Sequence, residues 1–112
     1  MEARDWRVLG PTGAMLPLAA WSVIVVCVAV AEEILLRGVV LPSLARSRGP
    51  ITGLLLSSVL FAVIHVPLYG VGALPLDFAV GLWLGGLRLL TGGVAASATA
   101  HALADLATGW IL

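Results

Sequence analysis

Six ionisable side chains stand inside or at the edge of otherwise apolar stretches of this sequence. They are two glutamates, one arginine, two histidines and one aspartate: Glu32, Glu33, Arg37, His65, His101 and Asp105. A charged side chain at the centre of a bilayer costs about 2.5–3.5 kcal/mol on insertion scales, so such residues usually have a function and face a bundle interior or a wet cavity. Carboxylates and imidazoles are also the groups that activate water or bind zinc.

The spacing of these residues predicts which of them share a helix face. Glu33 and Arg37 are four residues apart with the glutamate first, which favours a helical ion pair. Glu32 points about 100° away from Glu33, so we expect the two glutamates to have different partners. His101 and Asp105 are also four residues apart and can act on one point in space.

Depth along the helices gives a second indication that the groups meet. Counted from Arg48 in the first turn, Glu33 and His65 lie about 22 and about 25 Å away along straight antiparallel helices. Counted from Gly92 in the last turn, His101 lies about 14 Å away and Asp105 about 20 Å, which is a looser match. The sequence therefore permits one common pocket.

The elements that would position these groups are hydrophobic helices. The chain has 112 residues, is 61% hydrophobic and 11% charged, and has a mean hydropathy of +1.12. Four apolar segments of near-spanning length are separated by turns rich in proline, glycine or arginine, at residues 14–40, 51–66, 74–90 and 94–112. We therefore predict an all-α, polytopic membrane bundle of about four transmembrane helices, with a short polar segment at residues 1–13 and a core at residues 14–112.

Several other features bound the function. The formal net charge is zero, so nucleic acid is not an expected partner, whereas the lipid bilayer is. The single cysteine, Cys27, gives no internal disulfide and is expected to pack as a small apolar residue. Asp77 and Arg88 lie near segment ends, where interfacial positions are expected. Residues 16–28, preceded by Arg4 and Arg7, also fit a signal peptide, but the remainder is equally hydrophobic, which disfavours this alternative.

Three motifs on separate segments resemble a known family. "EEILLRG" (32–38), "FAVIH" (61–65) and "HALAD" (101–105) occur in this order. They are similar to the Glu-Glu-x-x-x-Arg, Phe-x-x-x-His and His-x-x-x-Asn motifs of the CAAX-protease and bacteriocin-processing (CPBP/Abi) family of intramembrane proteases. One motif alone would be weak, but three in order are fairly specific.

The resemblance implies an intramembrane endopeptidase, of glutamic or metallo type, that cleaves peptide or protein substrates in a bacterial or archaeal cell membrane. Glu32 and His65 would activate water, and His101 and Asp105 would stabilise the oxyanion. Glu33 and Arg37 would support the site as an ion pair. For the metallo type, zinc would be held by the same four catalytic residues: Glu32, His65, His101 and Asp105.

Two departures from the family pattern bear on this hypothesis. Leu36 replaces a frequent phenylalanine, which is a mild packing change. Asp105 replaces the usual asparagine, and an ionised carboxylate would repel an oxyanion, so Asp105 must be protonated, bind a metal or orient His101. The chain is also short for the family, which leaves a minimal core, a fragment, or a protein completed by partner helices or a homo-oligomer. There are two alternative functions: a non-catalytic immunity or binding protein on the same scaffold, and a proton or ion pathway built from the same groups.

Overall fold

The computed structural model describes residues 5–9 and 13–111, and a helix forms most of each of the four predicted segments. Arg4 of the signal-peptide alternative, residues 10–12 and Leu112 lie outside the described residues. The elements, in chain order, are β1 (Trp6–Leu9), β2 (Ala14–Pro17), α1 (Leu18–Leu35), a π-helical segment (Leu36–Val40), α2 (Leu41–Arg48), α3 (Pro50–Ile64), α4 (Val66–Tyr69), a 3-10 turn (Val71–Ala73), α5 (Leu74–Thr91) and α6 (Ala95–Ile111).

The N-terminal hairpin differs from the prediction that the first helical segment begins at residue 14. Strand β1 pairs with β2 in antiparallel register, with Trp6 opposite Pro17 and Leu9 opposite Ala14. Pro17 has φ −54° and ψ 148°, and proline also disfavours helical backbone in the residue before it. The helix therefore begins only at Leu18.

The helical rod from α1 to α2 is interrupted by a wider turn, the π-helical segment. The Leu41 N–H bonds the Leu36 carbonyl, five residues back rather than four. Pro42 follows, and within an α-helix its ring would clash with the carbonyl of Gly38 while its missing N–H would leave a bond unmade. The extra residue in this turn accommodates the proline. Such π turns occur often at functional sites, and this one contains Arg37.

The remaining helices pack around this rod at close range. Helix α3 lies against α2 and α5, and α6 lies against α1 and α5. Glycine permits two of these approaches, because a Cβ added at Gly53 would lie 2.8 Å from the Ala45 nitrogen and one at Gly81 would lie 3.0 Å from the Ser58 Cα. The apolar core is a buried cluster that combines the π-helical segment, α3 and α5: Leu36, Phe61 and Leu84.

The outer surface of the bundle is apolar. Large hydrophobic side chains are strongly exposed on several helices, including Val23, Ile51, Leu76 and Leu90. Among the described residues, one helix, Val71–Thr91, is long and apolar enough to cross a membrane, and Pro50–Ile64 is apolar but shorter. The all-α fold is thus confirmed, whereas four membrane crossings stay a prediction.

Candidate active site

The Glu33–Arg37 ion pair is fully buried. Arg37 Nη1 donates to Glu33 Oε2 at 2.9 Å, as the spacing predicted, and neither side chain is exposed to solvent. The same Oε2 atom accepts a hydrogen bond from His101 Nδ1 at 2.8 Å, and Arg37 Nη2 donates to the Gly81 carbonyl at 3.1 Å. These hydrogen bonds fix the relative positions of the two buried side chains. Removal of either side chain would leave the charge of the other buried and uncompensated. We call Glu33, Arg37 and His101 the closed cluster.

The Phe61 ring connects the closed cluster to the rest of the site. The Arg37 guanidinium lies 4.7 Å from the ring centroid, which is within cation–π range. The Phe61 ring packs edge-on against the His101 ring, with the ring centroids 5.8 Å apart. It also packs against the His65 ring, with the centroids 4.3 Å apart. Both histidines therefore pack against one buried aromatic side chain.

Arg88 satisfies a backbone group that the π-helical segment leaves unpaired. The carbonyl of Arg37 has no helical partner, because the Leu41 N–H bonds Leu36 and Pro42 has no N–H. Arg88 Nε donates to this carbonyl at 2.9 Å. The sequence did not indicate this bond, and the interfacial depth expected for Arg88 stays a prediction. Arg88 thus ties α5 to the turn that carries Arg37.

Glu32 and His65 form the second contact group, and it reaches solvent. His65 Nε2 lies 3.1 Å from Glu32 Oε2, and the Glu32 side chain is 25% exposed. His65 Nδ1–H donates to the Phe61 carbonyl at 2.6 Å, since a carbonyl oxygen can only accept. In a neutral ring Nε2 would then present its lone pair to the carboxyl group. The contact therefore requires one proton between the two groups, on Nε2 or on the carboxyl oxygen.

His101 is held by carboxyl groups on both ring nitrogens. Nδ1 faces Glu33 and Nε2 lies 3.3 Å from Asp105 Oδ2, so both contacts are satisfied when the ring carries two protons or when Asp105 is protonated. The Asp105 side chain is 39% exposed, whereas that of His101 is 6% exposed. Asp105 therefore contacts His101 from the open side of the site.

The open side also contains two residues that the motifs did not indicate. The Tyr69 ring stacks on His65 with centroids 6.0 Å apart and planes 7° apart. Asp77 acts electrostatically on both of these rings, and its Oδ2 atom is buried without a hydrogen-bond partner among the described residues. Asp77 is thus half-buried and close enough to act on both rings, and its interfacial depth stays a prediction. We call Glu32, His65, Tyr69 and Asp105 the open cluster.

The structure thus brings all six predicted site residues together as two groups, which are joined by Phe61 and by the His101–Asp105 contact. Sequence reasoning missed the Gly81 carbonyl, Arg88, Tyr69 and Asp77. Two signals were available in the sequence. Pro42 predicts an unpaired carbonyl one turn back, although it is the π turn that shifts this role from Gly38 to Arg37, and Tyr69 follows His65 by four residues. The larger surface cavity, about 650 Å³ beside Arg7 and Trp110, lies at the hairpin and outside these groups.

The side chains do not converge on a metal position. Within residues 5–9 and 13–111, no group of three or more His, Cys, Asp or Glu side chains is arranged to hold a metal ion. Both nitrogens of His101 are occupied by carboxyl groups, and Nδ1 of His65 is occupied by a carbonyl. The residues as they stand do not fit the zinc alternative.

A helical bundle with apolar outer surfaces and inward carboxylate–imidazole pairs is the arrangement expected of an intramembrane hydrolase. Comparison with protein-family models matches residues 14–107 to the type II CAAX prenyl endopeptidase Rce1-like family. The match covers most of the chain and all six predicted site residues, so the chain belongs to this family, and the predicted resemblance is confirmed. Neither the curated proteins nor the solved structures give a match.

Membership in this family supports the predicted activity at a general level. The family consists of membrane-embedded proteases of the CAAX type, which act on membrane-associated proteins. The chain is therefore a membrane protein of a protease family.

Proposed function

We propose that the protein is an intramembrane endopeptidase of the glutamic type that hydrolyses a peptide bond in prenylated or otherwise membrane-associated substrates. The observation that carries this proposal is the contact between Glu32 and His65, which is accessible to water on the side of Glu32. A carboxylate and an imidazole in direct contact can share and move one proton, as general acid–base catalysis requires.

The reaction proceeds through proton transfers at named atoms. Glu32 accepts a proton from water, and the resulting hydroxide attacks the carbonyl carbon of the scissile bond. The tetrahedral intermediate then collapses, the C–N bond breaks, and the leaving nitrogen takes the proton that the Glu32–His65 pair holds. Water is consumed and an acid and an amine are produced, so no other reactant is needed. The Phe61 carbonyl keeps His65 Nδ1 protonated and so leaves Nε2 as the nitrogen that exchanges protons.

The closed cluster supports this chemistry by fixing His101 beside it. Glu33 orients the ring through Nδ1, and Asp105 contacts Nε2, so Asp105 serves to orient His101 and not as an oxyanion donor. When both ring nitrogens are protonated, His101 places a positive charge next to the developing oxyanion. Arg37 neutralises Glu33 and holds it in place.

The proposal is tested by cleavage of a farnesylated CAAX peptide in proteoliposomes. Glu32→Gln is expected to lower kcat by about 10²–10⁴-fold, because the general base is lost while the shape of the side chain is kept. Cys27→Ser is the matched control, since Cys27 is exposed on the same helix. Full turnover by Glu32→Gln would refute the general-base role of Glu32, whereas no cleavage by the unsubstituted protein would favour the immunity or binding alternative.

The choice between glutamic and metallo types is tested in the same proteoliposomes. The direct Glu32–His65 contact and the occupied nitrogens of His101 lead us to expect unchanged cleavage after dialysis against excess chelator. Loss of activity on chelation, with recovery when zinc is returned, would establish the metallo type instead.

A further inference from the structure

Hydrogen-bond donors for an oxyanion are scarce in this site. Acyl transfer needs preorganised donors aimed at the oxygen on which negative charge develops. Arg37 uses Nη1 for Glu33 and Nη2 for Gly81, and its Nε is buried away from solvent. Both nitrogens of His101 face carboxyl groups, and an ionised Asp105 can only accept. Among the side chains of the open cluster, the Tyr69 hydroxyl is the remaining hydrogen-bond donor.

Tyr69 is held against the catalytic histidine by local backbone structure. Its N–H bonds the His65 carbonyl at 3.0 Å, so one helical turn separates the two residues and places their rings in parallel. Gly70 follows with φ +80°, a left-handed conformation that ends α4 directly after the tyrosine. The ring therefore stays over His65 while the chain turns away.

The electrostatic surroundings place Tyr69 in the mouth of the site. Asp105, Asp77 and Glu32 all act on it, and they belong to three different helices, α6, α5 and α1. Although 63% of the residue is exposed, partial burial raises the pKa of Tyr69, and the negative charges of these carboxylates raise it further. The phenol is therefore protonated at neutral pH. It is also accessible to a substrate from outside.

We propose that the Tyr69 hydroxyl is a catalytic hydrogen-bond donor to the oxyanion of the tetrahedral intermediate. This inference rests on the proposed function and deepens it. It also accounts for the aspartate at position 105: with a phenol ring stacked on His65, the site does not need a donor at this position of α6. Asp105 is then free to orient His101.

Tyr69→Phe in the farnesylated-peptide assay tests the inference. Phenylalanine keeps the stack on His65 and loses only the O–H, so kcat is expected to fall by about 10²-fold, as for removal of one oxyanion-hole donor, with KM within about twofold. Tyr69→Leu, which loses the ring as well, is the control for a packing role. Unchanged kcat in Tyr69→Phe, or a rise in KM alone, would overturn the proposal.

A second variant keeps the test decisive if Tyr69→Phe folds poorly. Difluorotyrosine at position 69 keeps size and stacking but lowers the phenol pKa. A hydrogen-bond donor must be protonated, so kcat should fall as the pH rises through the pKa of the phenol. In the difluorotyrosine variant, this fall in the pH profile of kcat should therefore occur at a lower pH. An unmoved alkaline limb would contradict a donor role.

Glu32→Gln separates this inference from the function on which it rests. No cleavage by the unsubstituted protein would remove the protease assignment itself, and full turnover in Glu32→Gln would remove the glutamic mechanism. Loss of turnover in Glu32→Gln together with normal kcat in Tyr69→Phe would refute only the role of Tyr69.

Discussion

The closed cluster and the open cluster begin at adjacent residues and have opposite environments. Glu33 is 0% exposed and bound to both Arg37 and His101, whereas Glu32 is 25% exposed and contacts His65. Neighbouring residues on a helix point about 100° apart, so one glutamate faces the packed helices and the other faces the opening.

This difference shows how a small bundle can combine rigidity with reactivity. A buried carboxylate that is bound on several sides keeps its place, but it has little freedom to exchange protons with substrate. A partly exposed carboxylate beside an imidazole can exchange protons but contributes little stability. We therefore expect substitutions in the closed cluster to change mainly stability, and those in the open cluster to change mainly turnover.

The largest expected change in stability is that of Glu33→Gln. Loss of this carboxylate leaves the Arg37 charge buried without a counter-ion, which costs about 3–5 kcal/mol in the free energy of unfolding. Glu32→Gln, its matched neighbour, should cost less than about 1 kcal/mol because its carboxylate is partly hydrated. Denaturant unfolding in detergent micelles measures both. Equal losses would remove the distinction between the two clusters.

Gly81→Ala should cause the next largest loss in the free energy of unfolding. The added methyl group would lie 3.0 Å from the Ser58 Cα and 3.1 Å from its Cβ, so α5 must move away from α3 and carry the Gly81 carbonyl with it. Overpacking of this kind costs about 1–3 kcal/mol. Gly86→Ala on the same helix meets nothing within 4 Å and should stabilise by about 0.5–1 kcal/mol. Thermal unfolding compares the two, and similar midpoints would show that α3 and α5 are not in close contact.

Arg88→Met should lower the free energy of unfolding by less than Gly81→Ala does. The Arg37 carbonyl would lose its only described partner, at a cost of about 1–2 kcal/mol for a partly buried acceptor. In a Pro42→Ala background residue 42 regains an N–H, so the same substitution should cost about 1 kcal/mol less. The double-mutant cycle on unfolding free energy measures this coupling, and additive effects would mean that Arg88 does not serve the π-helical segment.

Asp105→Asn should have the smallest effect on stability, under about 1 kcal/mol, because the contact with His101 is long and partly exposed. The amide oxygen can still accept a hydrogen bond from His101 Nε2, so we expect turnover within about tenfold of the original. Kinetics in proteoliposomes check this. A much larger loss would show that the carboxylate charge itself is needed.

Much of the site could be predicted because it depends on local helical spacing. The Glu33–Arg37 pair and the His101–Asp105 contact are both four residues apart, and a helix places such residues side by side whatever surrounds it. The helical segments followed from hydrophobicity, and the family followed from three motifs in order. Depth counting, however, could not tell whether Glu32 or Glu33 meets His65, because the two differ by only about 1.5 Å along the axis.

The sequence by itself thus determined which residues are charged within the apolar segments, which of them pair within a helix, and that the protein belongs among intramembrane proteases. Only the tertiary structure decided that His101 contacts Glu33, that His65 contacts Glu32, and that Arg88 and Tyr69 join the site. These partners sit on different helices or depend on a π turn and a helix break. Their contacts depend on the rotation of each helix about its axis, which is set by packing at positions such as Gly81 and by the extra residue before Pro42.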